Sequence, residues 1–255
     1  ETIKFIKKNK NKPFFLYCPW TPPHAAYQIP EDEPAWKMYQ DKPWPHDARV
    51  AAAMDTMMDR HVGEITALLK KLGLYQNTLM FFTSDNGAAK RFDGIHNSSG
   101  VMQGKKRSLN EGGIRVPMVV RWPGKIKAGR VSSHPWYFPD VMPTFAEIGG
   151  VSTEVPEDID GISILPTLLD EGEQKLHEYM FWHYGVRAVR SGKWKGIGKG
   201  GHLYLYDLSK DIEEKNDLSS KHPEIAARMK KYITIGYREP RSQKDDGKYT
   251  GKDKK

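Results

Sequence analysis

A long amphipathic helix is the feature of this sequence that most constrains its fold. Between His46 and Leu72 the apolar residues recur at intervals of three and four; they are Val50, Met54, Met57, Met58, Val62, Ile65, Leu68, Leu69 and Leu72. This spacing predicts one apolar helix face, and Gly73 stands where a left-handed cap would end the helix. Because such a face must be buried against another layer, we expect the methionines to lie in the core.

Short apolar runs next to this helix predict the strands of a sheet. Each of these runs predicts a buried strand, since proline or glycine lies near its ends. The runs are residues 12–20, 78–83 and 114–124. A further helix is expected from Pro139 to Ile148. The order of strand, helix and strand predicts an α/β sheet that is layered with helices.

The last third of the sequence has a different pattern of residue types. Residues 178–184, 187–197 and 202–208 are short aromatic and β-branched runs that glycine-containing turns separate, which predicts an antiparallel meander. Residues 222–236 predict a closing amphipathic helix. The polar, lysine-rich tail beyond Arg238 is expected to be disordered, because it has little apolar surface to bury.

Charge and cysteine content limit the classes of function. The net charge is +8 over 255 residues, and the segment from Gln103 to Arg130 contains many basic residues against one acidic residue, Glu111. Such a surface either attracts an anion (nucleic acid, a sulfated glycan or phosphate) or is merely solvated. The single Cys18 excludes an internal disulfide. No apolar run is long enough to predict a transmembrane helix.

Asp85 and Asn86 follow directly after the strand predicted at 78–83. One interpretation is structural, because Asp-Asn-Gly is typical of tight turns. The other is functional. Ligands bind at the carboxyl ends of strands in open α/β sheets, and His24 follows another predicted strand. Carboxylate and carboxamide oxygens suit Ca²⁺ or Mg²⁺, although two such residues do not complete a site.

Motifs in a specific order resemble the C-terminal half of the formylglycine-dependent sulfatases, of the arylsulfatase and N-acetylgalactosamine-6-sulfatase type. They are SDNG at 84–87, GKKRSLNEGGIRVP at 104–117, RWPG at 121–124 and DGISILP at 160–166. The resemblance continues to about residue 238. It implies the C-terminal portion of an alkaline-phosphatase-like α/β sandwich, followed by a small antiparallel β subdomain with a closing helix.

The resemblance also implies a division into domains. The catalytic α/β portion would occupy residues 1–150, a linker 151–177 and the antiparallel subdomain 178–238. The basic tail would occupy residues 239–255.

Site residues are carried over from the family by the same resemblance. Asp85 and Asn86 correspond to ligands of a divalent cation, expected to be Ca²⁺ with Mg²⁺ as the alternative. Lys106 corresponds to the lysine that contacts the sulfate, and Lys105 is its near alternative. His24 corresponds to the histidine that binds the sulfate and protonates the leaving oxygen. A lysine at such a place neutralises charge on the sulfuryl oxygens as the ester bond breaks.

The nucleophile of the family is a formylglycine made from Cys or Ser in a Cys/Ser-x-Pro-x-Arg motif. Neither Cys18-Pro19-Trp20 nor Ser133-His134-Pro135-Trp136-Tyr137 matches it. We therefore expect that the 255 residues are a piece of a longer enzyme. On this expectation the formylglycine lies upstream and the chain alone does not hydrolyse sulfate esters.

The expected substrate is a sulfated carbohydrate or aryl sulfate ester, with His183 and Arg187 of the small subdomain as substrate-binding residues. Nucleic acid is not an expected partner, the oligomeric state is not predicted, and family likeness implies a periplasmic or secreted location. Two alternatives stay open: a phosphoester or phosphonate hydrolase of the same superfamily, and a noncatalytic polyanion-binding module.

Overall fold

The computed structural model describes residues 1–239, so the predicted disordered tail lies almost entirely outside the described residues. The chain divides into two compact units. The first comprises Glu1–Phe82, Arg91–Asn97 and Met118–Arg130, and the second comprises Thr83–Lys90, Ser98–Pro117 and the chain from Val131 onward. The limits predicted for the sulfatase domains differ from these and stay a prediction.

The first unit is built around the predicted long helix. Helix α1 spans Thr2–Asn9 and helix α2 spans His46–Lys71, as the apolar spacing predicted. Gly73 has a φ of 71°, and the Leu74 amide donates to the Leu69 carbonyl at 2.9 Å, which ends the helix in a left-handed cap. Of the methionine stripe, Met54 is buried, whereas Met57 and Met58 are half-buried.

Strands β1 (Met80–Thr83) and β2 (Met118–Arg121) pair in a two-stranded sheet, so the strands predicted at 78–83 and 114–124 are present. The strand predicted at 12–20 is wrong. This segment belongs to neither sheet of the described chain, and Phe15 and Tyr17 are 67% and 71% exposed. An apolar run between prolines favours an extended backbone, but a strand also requires a neighbour to which it can hydrogen-bond.

The second unit contains the predicted antiparallel meander. Strands β3 (Met180–Tyr184), β4 (Val186–Ser191), β5 (Trp194–Lys199) and β6 (His202–Asp207) pair in sequence order. Gly185 and Gly192 have φ values of 66° and 56° in the connecting turns. Such angles strain other residues, so these glycines permit tight reversals.

The two faces of the meander pack against different parts of the second unit. The closing helix spans Pro223–Ile235 and covers one face, where its Met229 packs with Val189 and Leu205. The other face packs against Leu109 and Ile114, which are distant in sequence. Because side chains alternate between the faces of a strand, successive residues of β5 lie on opposite faces of the sheet.

The remaining helices of the second unit are short. They span Glu111–Ile114 (α3), Val141–Ile148 (α4) and Leu165–Leu169 (α5), and the closing helix is therefore α6. Helix α4 confirms the helix predicted from Pro139, since a 3₁₀ turn at Phe138–Asp140 precedes it. Further 3₁₀ turns span Pro34–Met38, Tyr75–Asn77, Lys90–Phe92 and Ser152–Glu154. Within residues 1–239, no helix combines the length and apolar character needed to cross a membrane.

Asp207 fixes the end of β6 through charge. Its carboxylate accepts from Lys193 Nζ at 2.8 Å and from Ser209 Oγ at 2.5 Å. Burial alone would raise the pKa of Asp207, but these two partners lower it to about 2. Since the folded pKa is below the ordinary value, the carboxylate stabilises the fold above about pH 4 and loses this effect as the pH falls through about 2.

We therefore expect Asp207→Asn to lower the free energy of unfolding at about pH 7 by the order of 1 kcal/mol, a figure reduced for the solvent around half-exposed Lys193. At about pH 3 the difference from the native protein should be smaller, because the carboxyl group of the unfolded chain is then mostly protonated while the folded carboxylate is still mostly ionised, so proton uptake favours unfolding. Urea unfolding at both pH values measures this, with Glu173→Gln as an exposed control. An equal loss at both pH values would contradict the assignment.

Candidate active site

Asp85 and Asn86 lie in the loop that follows β1, at the position that the sequence predicted. The Ser84 hydroxyl donates to the Asn86 carbonyl at 3.1 Å, and the Asn86 side-chain amide donates to Asp85 Oδ1. Asp85 is exposed and Asn86 is half-buried. The segment is thus a hydrogen-bonded turn that also presents a carboxylate, so the turn chemistry and the presentation of oxygen ligands are compatible.

Lys105 and Lys106 lie in a tight loop of residues 104–110, called the lysine loop below. The Lys106 amide donates to the Ala88 carbonyl at 2.8 Å, which ties this loop to the segment that carries Asp85. The Ser108 amide donates to the Lys105 carbonyl at 2.8 Å, and Arg107 has a φ of 75°. Both lysines are half-buried.

Glycines allow the two loops to approach closely. The Gly87 amide donates to the Gly113 carbonyl at 2.9 Å, and the Gly112 amide donates to the Gln103 carbonyl at 2.7 Å. A Cβ atom on Gly87 would lie 2.0 Å from the Gly112 oxygen, and one on Gly113 would lie 2.1 Å from the Ser108 oxygen. These distances are too short for any side chain, so the Glu-Gly-Gly segment at 111–113 positions the lysine loop.

A buried charge cluster supports the lysine loop, and the sequence analysis missed it. Lys195 Nζ in β5 donates to Glu111 Oε1 at 2.8 Å and lies 3.0 Å from Glu214 Oε1. The side chains of Lys195 and Glu214 are fully buried, and that of Glu111 is 3% exposed. Glu111 Oε2 also accepts from Arg115 Nε at 2.7 Å.

The electrostatics of the cluster keep Glu111 ionised. Burial alone would raise the pKa of Glu111, but Lys195 and Arg115 lower it below its ordinary value. A signal for this cluster exists in the sequence, because strand alternation places Lys195 on the same face as Ile197, which is buried against Leu109. A lysine at such a position requires a buried acidic partner.

His24 lies in the first unit, whereas Asp85, Asn86 and Lys106 lie in the second. It is exposed, and its Nδ1 is 2.8 Å from the Ala25 carbonyl oxygen. Its role beside the sulfate therefore stays a prediction.

His183 and Arg187 are brought together by the turn between β3 and β4. They are cross-strand partners in the register of the two strands. The Arg187 guanidinium carbon lies 3.4 Å from the centroid of the Tyr237 ring, and the His183 ring contacts the same tyrosine edge-on at 5.3 Å. The structure thus groups both predicted substrate-binding residues with an aromatic ring that the sequence analysis did not single out.

The donor chemistry of Asp85 and Asn86 fits part of a hard-cation site. Both residues offer oxygen atoms, which Ca²⁺ and Mg²⁺ prefer. In residues 1–239, no group of three or more His, Cys, Asp or Glu side chains is arranged to hold a metal ion. The two residues would therefore contribute to a metal site without forming it alone.

Family models match almost all of the described chain. The model described as Sulfatase matches residues 1–151, and the model described as N-sulphoglucosamine sulphohydrolase, C-terminal, matches residues 103–237. The chain therefore belongs to the sulfatase family, as the motifs indicated.

Individual relatives agree with this family. The chain is 34% identical over 203 residues to the steryl-sulfatase of Mus musculus, covering 76% of this chain and 30% of that protein. It is 30% identical over 260 residues to the N-acetylgalactosamine-6-O-sulfatase of Bacteroides thetaiotaomicron, covering 90% of this chain and 48% of that protein. The chain thus spans less than half of the length of these relatives.

Solved structures support the predicted fold. A structure described as Ps i-CgsB matches with a TM-score of 0.80 at 31% identity, over 92% of this chain and 52% of that chain. A glycosaminoglycan-metabolism sulfatase from Bacteroides thetaiotaomicron matches with a TM-score of 0.76 at 28% identity, over the same shares. The fold is therefore the C-terminal portion of an alkaline-phosphatase-like sandwich with its antiparallel subdomain.

The close approach at Gly87 generates a prediction. Gly87→Ala should lower the free energy of unfolding by about 1–3 kcal/mol, because its methyl group would overlap the Gly112 carbonyl. Urea unfolding measures the change. The matched control is Gly63→Ala in the interior of α2, where no atom lies near the added methyl group. The control should stabilise by up to about 1 kcal/mol. Similar behaviour of the two variants would show that the loops can separate without loss of stability.

Proposed function

We propose that the protein containing this chain is a sulfuric ester hydrolase that uses a formylglycine nucleophile and a divalent cation. The observation that carries the proposal is a hydrogen-bonded contact in a chain of the sulfatase family. It joins the lysine loop to the loop of residues 84–88, called the Asp85 loop below. This contact holds the loop that carries a carboxylate and a carboxamide next to a loop that carries two lysines. Such a pairing can bind a metal ion and a sulfate group at one place.

Asp85 and Asn86 are proposed as ligands of Ca²⁺, with Mg²⁺ as the alternative. When bound, the cation would supply positive charge to the sulfate and the nucleophile. The family's nucleophile motif does not occur in these 255 residues, so the formylglycine would come from another part of the protein. The side-chain amide of Asn86 donates to the Asp85 carboxylate, so the two proposed ligands are adjacent to each other.

Lys106 is proposed to contact the sulfate, and His24 to bind it and protonate the leaving oxygen. The backbone of Lys106 is held by Ala88, so its ammonium group is carried by a fixed loop. A preorganised positive charge stabilises the charge that develops on the sulfuryl oxygens. A proton from histidine would make the departing alkoxide a neutral alcohol.

The test compares the two neighbouring lysines in the full-length protein. Lys106→Ala should lower kcat/KM for an aryl sulfate by about 100-fold or more, because one preorganised charge is lost from the transition state. Lys105→Ala is the matched control and should cause a much smaller loss. Steady-state kinetics with added Ca²⁺ measure both variants. The reverse ranking would assign the sulfate contact to Lys105.

The same assay separates the proposal from its two alternatives. Faster hydrolysis of an aryl phosphate than of the aryl sulfate would favour a phosphoester hydrolase of the same superfamily. Absence of turnover on both esters, with retained binding of a polyanion, would favour a noncatalytic module.

A sulfated glycan is the proposed natural substrate. One relative is named an N-acetylgalactosamine-6-O-sulfatase, and the Ps i-CgsB structure has also been determined with k-i-k-neocarrahexaose. In this chain, His183, Arg187 and Tyr237 combine hydrogen-bond donors with an aromatic ring. Arginine suits a carboxylate or a second sulfate, and an aromatic face suits a sugar ring. An aryl sulfate would require neither contact.

Arg187→Ala should therefore lower kcat/KM for a sulfated oligosaccharide by about 10-fold or more while changing that for a small aryl sulfate by less than about threefold. Parallel kinetics on the two substrates give the answer. Arg190 lies three residues further along β4, on the opposite face of the strand, and is partly buried. Arg190→Ala therefore tests for general damage to the strand. Equal losses on both substrates with Arg187→Ala would place this residue outside glycan recognition.

The proposal includes the division of the chain into a catalytic portion (1–150), a linker (151–177) and a small subdomain (178–238). Family likeness also supports a periplasmic or secreted location. Nucleic acid is not a proposed partner. Measuring the protein in cell fractions tests the location.

A further inference from the structure

The lysine loop is held at both of its ends by one residue of the second unit. Glu214 follows β6 in a turn with a φ of 55°. Its side-chain Oε2 accepts from the Glu111 amide at 2.6 Å, just after the loop. Its backbone carbonyl accepts from Gln103 Nε2 at 3.2 Å, just before the loop. Glu214 therefore connects the beginning and the end of the loop that carries Lys106.

Lys195 in turn connects this residue to Glu111. Its ammonium group is fully buried and donates to Glu111 Oε1 at 2.8 Å. The same nitrogen lies 3.0 Å from Glu214 Oε1, and the two groups form an ion pair. Among the described residues, Glu214 Oε1 has no hydrogen-bond partner. One lysine of the sheet thus faces two buried carboxylates. The Glu214 carboxylate accepts from the Glu111 amide, and Glu111 is the residue that directly follows the lysine loop.

The position of Lys195 in β5 is closely determined. Its neighbour Gly196 has no room for a side chain, because an added Cβ would lie 2.9 Å from Met229 Cβ in α6. In the register of β4 and β5, Lys195 lies directly opposite Arg190. Like charges directly opposite each other are unfavourable, and the two carboxylates offset this repulsion. The backbone at Lys195 is therefore fixed by the sheet, and its buried ammonium group lies between the two carboxylates.

We infer that Lys195 is a positioning residue for the lysine loop, acting through Glu111 and Glu214 to hold Lys106 in place. The inference rests on the proposed sulfatase function for its catalytic consequence, but the structural link stands without it. Lys195 does not need to touch the substrate. The antiparallel subdomain would then contribute to the chemistry by setting the geometry of a loop far from it in sequence.

The first test measures the link in the full-length protein without substrate. In Lys195→Met, hydrogen exchange at the amides of Lys106, Ser108 and Gly112 should become faster by about 10-fold or more, because the ends of the loop are released. The matched control is Lys199→Met, an exposed lysine in the same strand, which should leave these amides unchanged. Amides of α6 serve as the internal reference.

Unchanged exchange in the lysine loop of a folded Lys195→Met variant would overturn the inference. If that variant does not fold, Glu214→Gln takes its place. This change retains an oxygen that can accept from the Glu111 amide but removes the charge that faces Lys195. It should accelerate exchange in the same amides, and no acceleration would again overturn the inference.

The second test measures the catalytic consequence by a double-mutant cycle. Lys195→Met should lower kcat on an aryl sulfate by about 10- to 100-fold with less than about threefold change in KM, because a displaced lysine affects the transition state. In a Lys106→Ala background the same substitution should lower kcat by less than about threefold. A general structural defect would instead give losses that multiply, and that result would overturn the catalytic role.

The two tests distinguish failure of this inference from failure of the proposed function. If the native full-length protein hydrolyses no sulfate ester, the proposed function fails, and hydrogen exchange still decides whether Lys195 holds the loop. If the native protein is active and exchange is unchanged, only the inference fails.

Discussion

The ion pair between Lys195 and Glu111 joins the antiparallel sheet to the loop that carries the candidate catalytic lysine. A buried ammonium group requires compensation, since removal from water is strongly unfavourable for an isolated charge. Glu111 and Glu214 supply it. Glu214 also accepts from the backbone amide of Glu111 at the end of the loop. The sheet must therefore form in its observed register for these charges to meet. An ion pair of this kind determines position more than it adds stability.

Backbone packing imposes a second constraint on the same region. Gly87, Gly112 and Gly113 allow the Asp85 loop and the lysine loop to share hydrogen bonds at distances that exclude any Cβ atom. The apolar residues Leu109 and Ile114 then fix the lysine loop to the sheet. Charge, hydrogen bonding and apolar burial all act on one short segment, which explains why a polar, glycine-rich stretch can have a defined structure.

Several parts of the molecule could be predicted from the sequence because their signals are local. The long helix follows from apolar spacing, its end from Gly73, and the meander from alternating runs and glycine turns. The prediction of a strand at 12–20 was wrong, because the pairing of a strand depends on a distant neighbour and not only on its own residues. Among the candidate site residues, Asp85, Asn86 and Lys106 were assigned by motif and stay predictions. The hydrogen bond from the Lys106 amide to the Ala88 carbonyl, which joins their two loops, was not visible in the sequence.

The sequence by itself determined the family, helices α2, α4 and α6 and the strands of both sheets, since residue type and short-range periodicity encode these features. The candidate site residues stay predictions. Only the tertiary structure revealed that Lys195 and Glu214 support the lysine loop and that Tyr237 lies against Arg187. The pair Lys195 and Glu111 is separated by 84 residues. Contacts across such a distance arise from the packing of a sheet face onto a loop, and no local pattern specifies which charged side chains that packing will bring together.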